Sequence, residues 1–138
     1  MGDIAVWGLV SGLIHFAAIG ILYGNPVVDR MYVLAADASP AVRGWPSKSR
    51  YLITQFLGTQ IEVYVIAIGF AWLYQHLPAD GLAAALLLGT LFAGLRVYPR
   101  FWNMWIQSTY PRRLLVTEAV NGIIGTYVIV IALYLLLP

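Results

Sequence analysis

Four long stretches of this chain each carry at most one acidic, basic or histidine side chain, and no other feature constrains the fold as much. Ile4 to Tyr23 contains only His15, Tyr51 to Gln75 only Glu62, and Leu114 to Leu137 only Glu118. Gly81 to Leu95 contains none and runs on to Tyr98. This third stretch is the shortest and the richest in Ala and Gly. An α-helix rises about 1.5 Å per residue, so about 20 residues cross the roughly 30 Å hydrocarbon layer. Inside lipid every backbone N–H and C=O needs a partner within its own segment, and the runs lack the alternation of barrel strands. The pattern predicts an all-α integral membrane protein: a four-helix transmembrane bundle, one domain over residues 1–138, with spans at about 4–23, 51–75, 81–98 and 114–137.

Composition agrees. The chain is 61% hydrophobic and 10% charged, against about 25% charged in ordinary soluble domains, which leaves too few polar residues to cover a water-exposed surface. Disorder is excluded for the same reason, because disordered chains lack apolar surface to bury. Eight basic residues are too few for a phosphate-tracking surface, so no nucleic-acid partner is expected. The absence of cysteine excludes disulfides, thiolate catalysis, iron–sulfur clusters and cysteine zinc sites.

The basic residues instead set topology. Arg30, Arg43, Lys48 and Arg50 lie between the first and second spans, and Arg96, Arg100, Arg112 and Arg113 lie between the third and fourth or at their ends. The positive-inside rule then puts both basic loops in the cytoplasm and both termini outside. Asp3 in place of a basic n-region, and an apolar run longer than a signal h-region, read as a retained first span rather than a signal peptide. Of the Trp and Tyr residues, only Tyr64 and Tyr127 fall near mid-span; the others sit where headgroup-level belts form.

The loops are short. Asn25 to Arg50 contains Pro26, Pro40, Gly44 and Pro46 around an apolar patch from Met31 to Ala36, room for one short interfacial helix. Arg100 to Tyr110, between Pro99 and Pro111, alternates aromatic and polar residues and is expected to lie along the cytoplasmic surface. Asp80 and Gly81 read as the cap opening the third helix.

Ionisable residues inside spans are costly and face a bundle interior or a water-filled cavity, so each is a candidate for function. His15 shares the small-residue face of the first helix with Gly8, Ser11 and Gly12. It is therefore expected inside a helix–helix contact, either as a neutral imidazole bonding one neighbour or as a proton carrier or ligand. On the second helix Gln55, Gly58, Thr59, Glu62, Ile66 and Gly69 share a face, with Glu62 about 16 Å from Tyr51. His15 lies about 12 Å from Tyr23 at the same end, and this depth match predicts a His15–Glu62 hydrogen bond. On the fourth helix Thr117, Glu118, Asn121, Gly122 and Gly125 form another small, polar face. Glu118 and Arg96 are expected at comparable depth as an ion pair fixing helix register, with Asn121 bonding across helices. Ala85, Gly89, Ala93 and Gly94 permit close packing of the third helix.

No His-Glu-x-x-His, Gly-x-Ser-x-Gly, phosphate loop or Glu-x-x-His pair occurs. His76 is the only other histidine, at a different depth from His15, so neither a metal nor a cofactor is expected and no catalytic residue is assigned.

Three stretches, AIGILYGNP at the end of the first span, ADGLAAALLLGTLFAGL in the third and YPRRLLVTEAVNGIIGTYVIVIAL in the fourth, resemble a family of small bacterial membrane proteins known as domain of unknown function 1761. The family pattern has a Trp before the Tyr-Gly step, where this chain has Leu22. The resemblance implies a four-span protein of the bacterial inner membrane and no established activity.

The expected function is that of a non-enzymatic membrane protein: a small transporter or partner-binding subunit whose polar centre at His15, Gln55, Thr59, Glu62 and Asn121 binds a solute, proton or lipid. Two alternatives stand beside it: a lipid-modifying intramembrane enzyme using His15 and Glu62 as acid and base, and a purely structural bundle. The partners expected are membrane lipids and, from spare small-residue faces, a second copy of the chain or another membrane subunit.

Overall fold

A computed structural model describes residues 2–136 as five helices joined by short connections. They are α1 (Gly2–Gly24), α2 (Pro26–Ala38), α3 (Lys48–Leu73), α4 (Gly81–Gln107) and α5 (Arg112–Leu136), with a 3₁₀ turn at Tyr74–His76 after α3. The helices α1, α3, α4 and α5 are long and apolar enough to cross a membrane. The chain is a multi-pass four-helix membrane bundle. Leu137, where the expected fourth span ends, lies outside the described residues.

The two basic connections sit together at one end of the bundle, called the basic end below. There the α1–α2 junction is set by Asn25. Its side-chain Oδ1 accepts from the backbone N–H groups of Val27 and Val28 at 3.1 Å each, and Pro26 occupies the first helical position. This cap stops α1 and starts α2 in a new direction. The short helix expected around Met31–Ala36 is thus present and longer. It leaves Val27, Val33 and Leu34 exposed, as a helix lying in a membrane interface does. Ser47 caps α3 by accepting from the Arg50 N–H at 3.4 Å.

One boundary and one cap bond differ from expectation. The third span does not stop at Tyr98, and Arg100–Tyr110 is not a surface strap: α4 continues through Pro99 to Gln107. Proline removes one backbone bond, and the remaining bonds of the ladder carry the helix past it. At the other end, Asp80 holds the N-cap position but its side chain accepts no bond, and Gly81 at φ 60° makes the turn into α4.

Helix α5 is the hub, packed against both α1 and α4, while α3 packs chiefly on α1. The α1–α3 seam is close because Gly8 lies under the Tyr64 ring and Gly12 under the Gln60 carboxamide; a Cβ at either position would collide with them. Gln60 Nε2 donates to the Gly8 carbonyl at 2.9 Å, and the Tyr64 hydroxyl donates to the Ala5 carbonyl at 3.0 Å. Side chains that bond backbone across a small-residue seam are a usual membrane substitute for hydrophobic driving force.

The apolar core occupies the half of the bundle away from the basic end. Val63, Ile66, Ala67 and Phe70 of α3 meet Ala85 and Leu88 of α4 and Ile129, Val130 and Leu133 of α5, with Ile4 and Trp7 of α1 alongside. Its edge toward the basic end, Val63, directly follows Glu62 in α3. From that level toward the basic end, polar side chains enter the packing beside the buried apolar residues Ala93, Leu114 and Leu115.

Candidate functional site

The α3 face carrying Gln55, Thr59, Glu62 and Gly69 looks toward α4, and the two helices diverge along it. At Gly69, in the apolar half, the Phe92 ring of α4 packs so closely that a Cβ would sit 3.2 Å from it. At Glu62 only an ion pair bridges the gap. At Gly58 no atom lies within 4 Å of where a Cβ would stand, and Gln55 is exposed. Gln55 Nε2 donates to Thr59 Oγ1 at 3.3 Å along its own helix. The α3–α4 gap therefore widens toward the basic end.

Arg96 of α4 closes the narrow end of this gap. Its Nε lies 2.6 Å from Glu62 Oε1 and its Nη2 2.7 Å from Glu62 Oε2, a two-pronged pair. Its Nη1 donates to Thr126 Oγ1 at 3.0 Å and to the Gly122 carbonyl at 3.4 Å, tying α4 to α5. The directions follow from helix geometry. Side chains lean toward the N-terminus of their own helix, and α3 and α4 are antiparallel, so Glu62 leans toward the basic end and Arg96 away from it until they meet. The Glu62 side chain remains 40% exposed and that of Arg96 18%. Hydrocarbon cannot solvate that exposed charge, so a carboxylate this exposed is costly at mid-span unless a polar group covers it.

Two expected pairings are corrected. Arg96 does not pair with Glu118; it takes Glu62, and Arg100, one turn nearer the basic end, takes Glu118 at 3.1 Å. A depth match by helix rise alone ignores that a long arginine side chain leans a turn along its helix. His15 does not bond Glu62 either. Both of its ring nitrogens are buried without a hydrogen-bond partner among the described residues, and the ring lies against Gly125 of α5, where a Cβ would come within 2.7 Å of Nε2. The condition set by the acid–base enzyme reading, mutual reach of His15 and Glu62, is not met.

His15 is nonetheless next to the centre. It packs on one side of the α5 turn that contains Gly122, Gly125 and Thr126, while Arg96 bonds that turn from the other side. Ser11, one turn away on α1, has a fully buried hydroxyl with no partner, and Asn121, one turn from Gly125, has an unpartnered Nδ2. Buried orphan groups of this kind cost about 1–3 kcal/mol each unless water reaches them. The α1–α5 seam thus carries three polar side chains whose hydrogen-bonding capacity the protein leaves unused.

A second cluster, missed at the sequence level apart from Glu118, seals the basic end. Glu118 Oε1 accepts from the Tyr32 hydroxyl of α2 at 2.6 Å and from the Tyr110 hydroxyl at 2.5 Å, while Oε2 accepts from Arg100. One carboxylate thereby joins α2, α4, α5 and the α4–α5 connection. Burial, reinforced by the bond to Glu118 and its charge, pushes the Tyr32 and Tyr110 hydroxyls well above their ordinary ionisation range. The aromatic content of the two connections was visible in the sequence, but not its convergence on one acid.

His76 Nδ1 donates to the Trp72 carbonyl at 2.7 Å, a local helix-end contact. Among the described residues no group of three or more His, Cys, Asp or Glu side chains comes together as a metal site. No family model, curated protein or solved structure matches this chain.

Proposed function

We propose that the protein is a small membrane transporter whose polar solute enters the α3–α4 gap from the basic end and binds at the Glu62–Arg96 pair, in exchange for a proton. The observation that carries this reading is the partly exposed Glu62–Arg96 pair, set where α3 leaves α4 and directly beside the apolar core. A site reachable from one side and plugged on the other is half of an alternating-access cycle. Gln55 and Thr59 line the approach, and His15 and Asn121 stand behind the pair with unused hydrogen-bonding capacity. By the positive-inside rule the open side is cytoplasmic, and the membrane is the bacterial inner membrane that the family resemblance implies.

The proton half of the exchange is directly measurable. In potential-clamped liposomes loaded with the pH dye pyranine and a small-molecule cell extract as counter-solute, and given an inward proton gradient, the wild-type chain acidifies the lumen faster than Glu62→Gln does. Equal rates for the two, with both proteins folded and equally incorporated, would rule the carrier out. The pair would then be a clasp between α3, α4 and α5, a second reading favoured by how fully the Arg96 guanidinium is bonded.

The proposed second copy rests on Gly20 of α1, exposed and facing open space. Native mass spectrometry in mild detergent that finds only monomer removes it.

A further inference from the structure

We infer that the groove between α2 and the start of α5 binds the phosphate headgroup of an anionic phospholipid from the leaflet at the basic end. The groove, about 380 Å³ in volume, is lined by Arg112, Arg113, Trp105, Met31 and Val116. A second groove of about 460 Å³ adjoins it through Met31 and adds Arg30, Val27 and Leu34. Together they place three guanidinium groups at the rim of a floor made of aliphatic side chains.

The arginines of this chain divide by partner. Arg96 and Arg100 hold Glu62 and Glu118. Among the described residues, Arg30, Arg43, Arg50, Arg112 and Arg113 form no ion pair with a carboxylate; of these Arg30, Arg112 and Arg113 line the two grooves, and all three are exposed. Arg112 is not free to roam: its guanidinium stacks over the ring of Trp105, another lining residue, 4.4 Å from the centroid. A planar guanidinium offers the forked N–H geometry that matches a phosphate. The local field has the same sign, because α5 begins after Pro111 with two arginines and no acidic residue in its first turn.

Charge complementarity names the anion, and the apolar floor names its carrier. Val27 is 71%, Leu34 59% and Val116 45% exposed, and the last lies on a spanning helix that continues into the hydrocarbon layer. A soluble phosphate has no use for that surface, whereas the acyl chains of a phospholipid cover it while the headgroup stays level with the arginines. The cytoplasmic leaflet, where the positive-inside rule puts this end, is also the one rich in anionic lipid.

The test is lipid retention by the full-length, delipidated protein, followed by native mass spectrometry with added phosphatidylglycerol or phosphatidylcholine. The wild-type chain is expected to retain phosphatidylglycerol over phosphatidylcholine by at least about fivefold, and Arg112→Gln/Arg113→Gln to lose that preference. Lys48→Gln/Arg50→Gln, which removes equal charge at the same end but away from the groove, should keep it. If the double glutamine variant fails to fold, Arg112→Lys/Arg113→Lys decides, since it keeps the charge and loses the fork; a reduced preference supports the site and an unchanged one counts against it. The proposal is overturned by equal retention of the two lipids, by equal losses in the two charge-removal variants, or by displacement of phosphatidylglycerol with inorganic phosphate alone.

Discussion

Arg96 reaches away from the basic end to grip Glu62 with two nitrogens, Nε at 2.6 Å and Nη2 at 2.7 Å, across the gap between α4 and α3. Because α3 and α4 otherwise touch little at this level, the pair carries much of the connection between them. Removing one partner strands the other in a medium that cannot solvate it. Glu62→Leu is expected to cost about 2 kcal/mol, below the roughly 3–5 kcal/mol of fully buried pairs because Glu62 is partly exposed. The double variant Glu62→Leu/Arg96→Leu should regain most of that loss. Unfolding in mixed micelles, followed by tryptophan fluorescence, measures both; a double variant no more stable than the single one would show that the stranded charge is not the cause.

Glycines separate by what a methyl group would meet. At Gly125 a Cβ would press on His15 at 2.7 Å and on Ile19 at 3.0 Å, and His15 is too deeply buried to step aside. Gly125→Ala should destabilise by about 1–3 kcal/mol. At Gly94, where nothing lies within 4 Å, Gly94→Ala should be neutral or raise stability by up to about 1 kcal/mol through helix propensity. The same unfolding assay gives the order, and an equal response at the two sites would contradict the packing described.

The Glu118 cluster predicts alkaline sensitivity. Tyr32 and Tyr110 are held protonated in the folded chain above their ordinary value of 10.0, first by burial and then by the Glu118 bond. Their contribution is complete below about pH 10 and fades as pH rises above it, where the unfolded chain ionises and the folded chain does not. The melting temperature of the wild-type protein should therefore fall more steeply between about pH 10 and pH 11 than that of Tyr32→Phe/Tyr110→Phe. Parallel curves would place the two hydroxyls in ordinary solvent.

Asn25 caps α2 with two accepted N–H bonds. Asn25→Ala should cost about 1 kcal/mol locally, seen as roughly fivefold faster hydrogen exchange in residues 26–38 with little change in α3. An acceleration spread equally over α2 and α3, or no change in α2, would mean that packing rather than the cap holds the helix.

What the sequence determined by itself is the membrane class, the number of spans, the grouping of the basic residues and the interfacial helix after Asn25. Each is a one-dimensional property: the length of apolar runs, the places where charge interrupts them, and the apolar patch from Met31 to Ala36 set between prolines; the Asn25 cap itself came from the structure. It also marked His15, Glu62, Glu118 and Asn121 as polar residues needing explanation, and Gly8 and Gly12 as a close-packing face. Tertiary structure decided who meets whom. Helix rise places Cα atoms to within a turn, but Arg96 leans along α4 past that tolerance, so it finds Glu62 and leaves Glu118 to Arg100 and two tyrosines. The same holds for His15, which shares depth with Glu62 yet faces Gly125, because α1 turns that side toward α5. The divergence of α3 from α4 below Gly69 is set by the packing of whole helices around α5, and no local spacing encodes it.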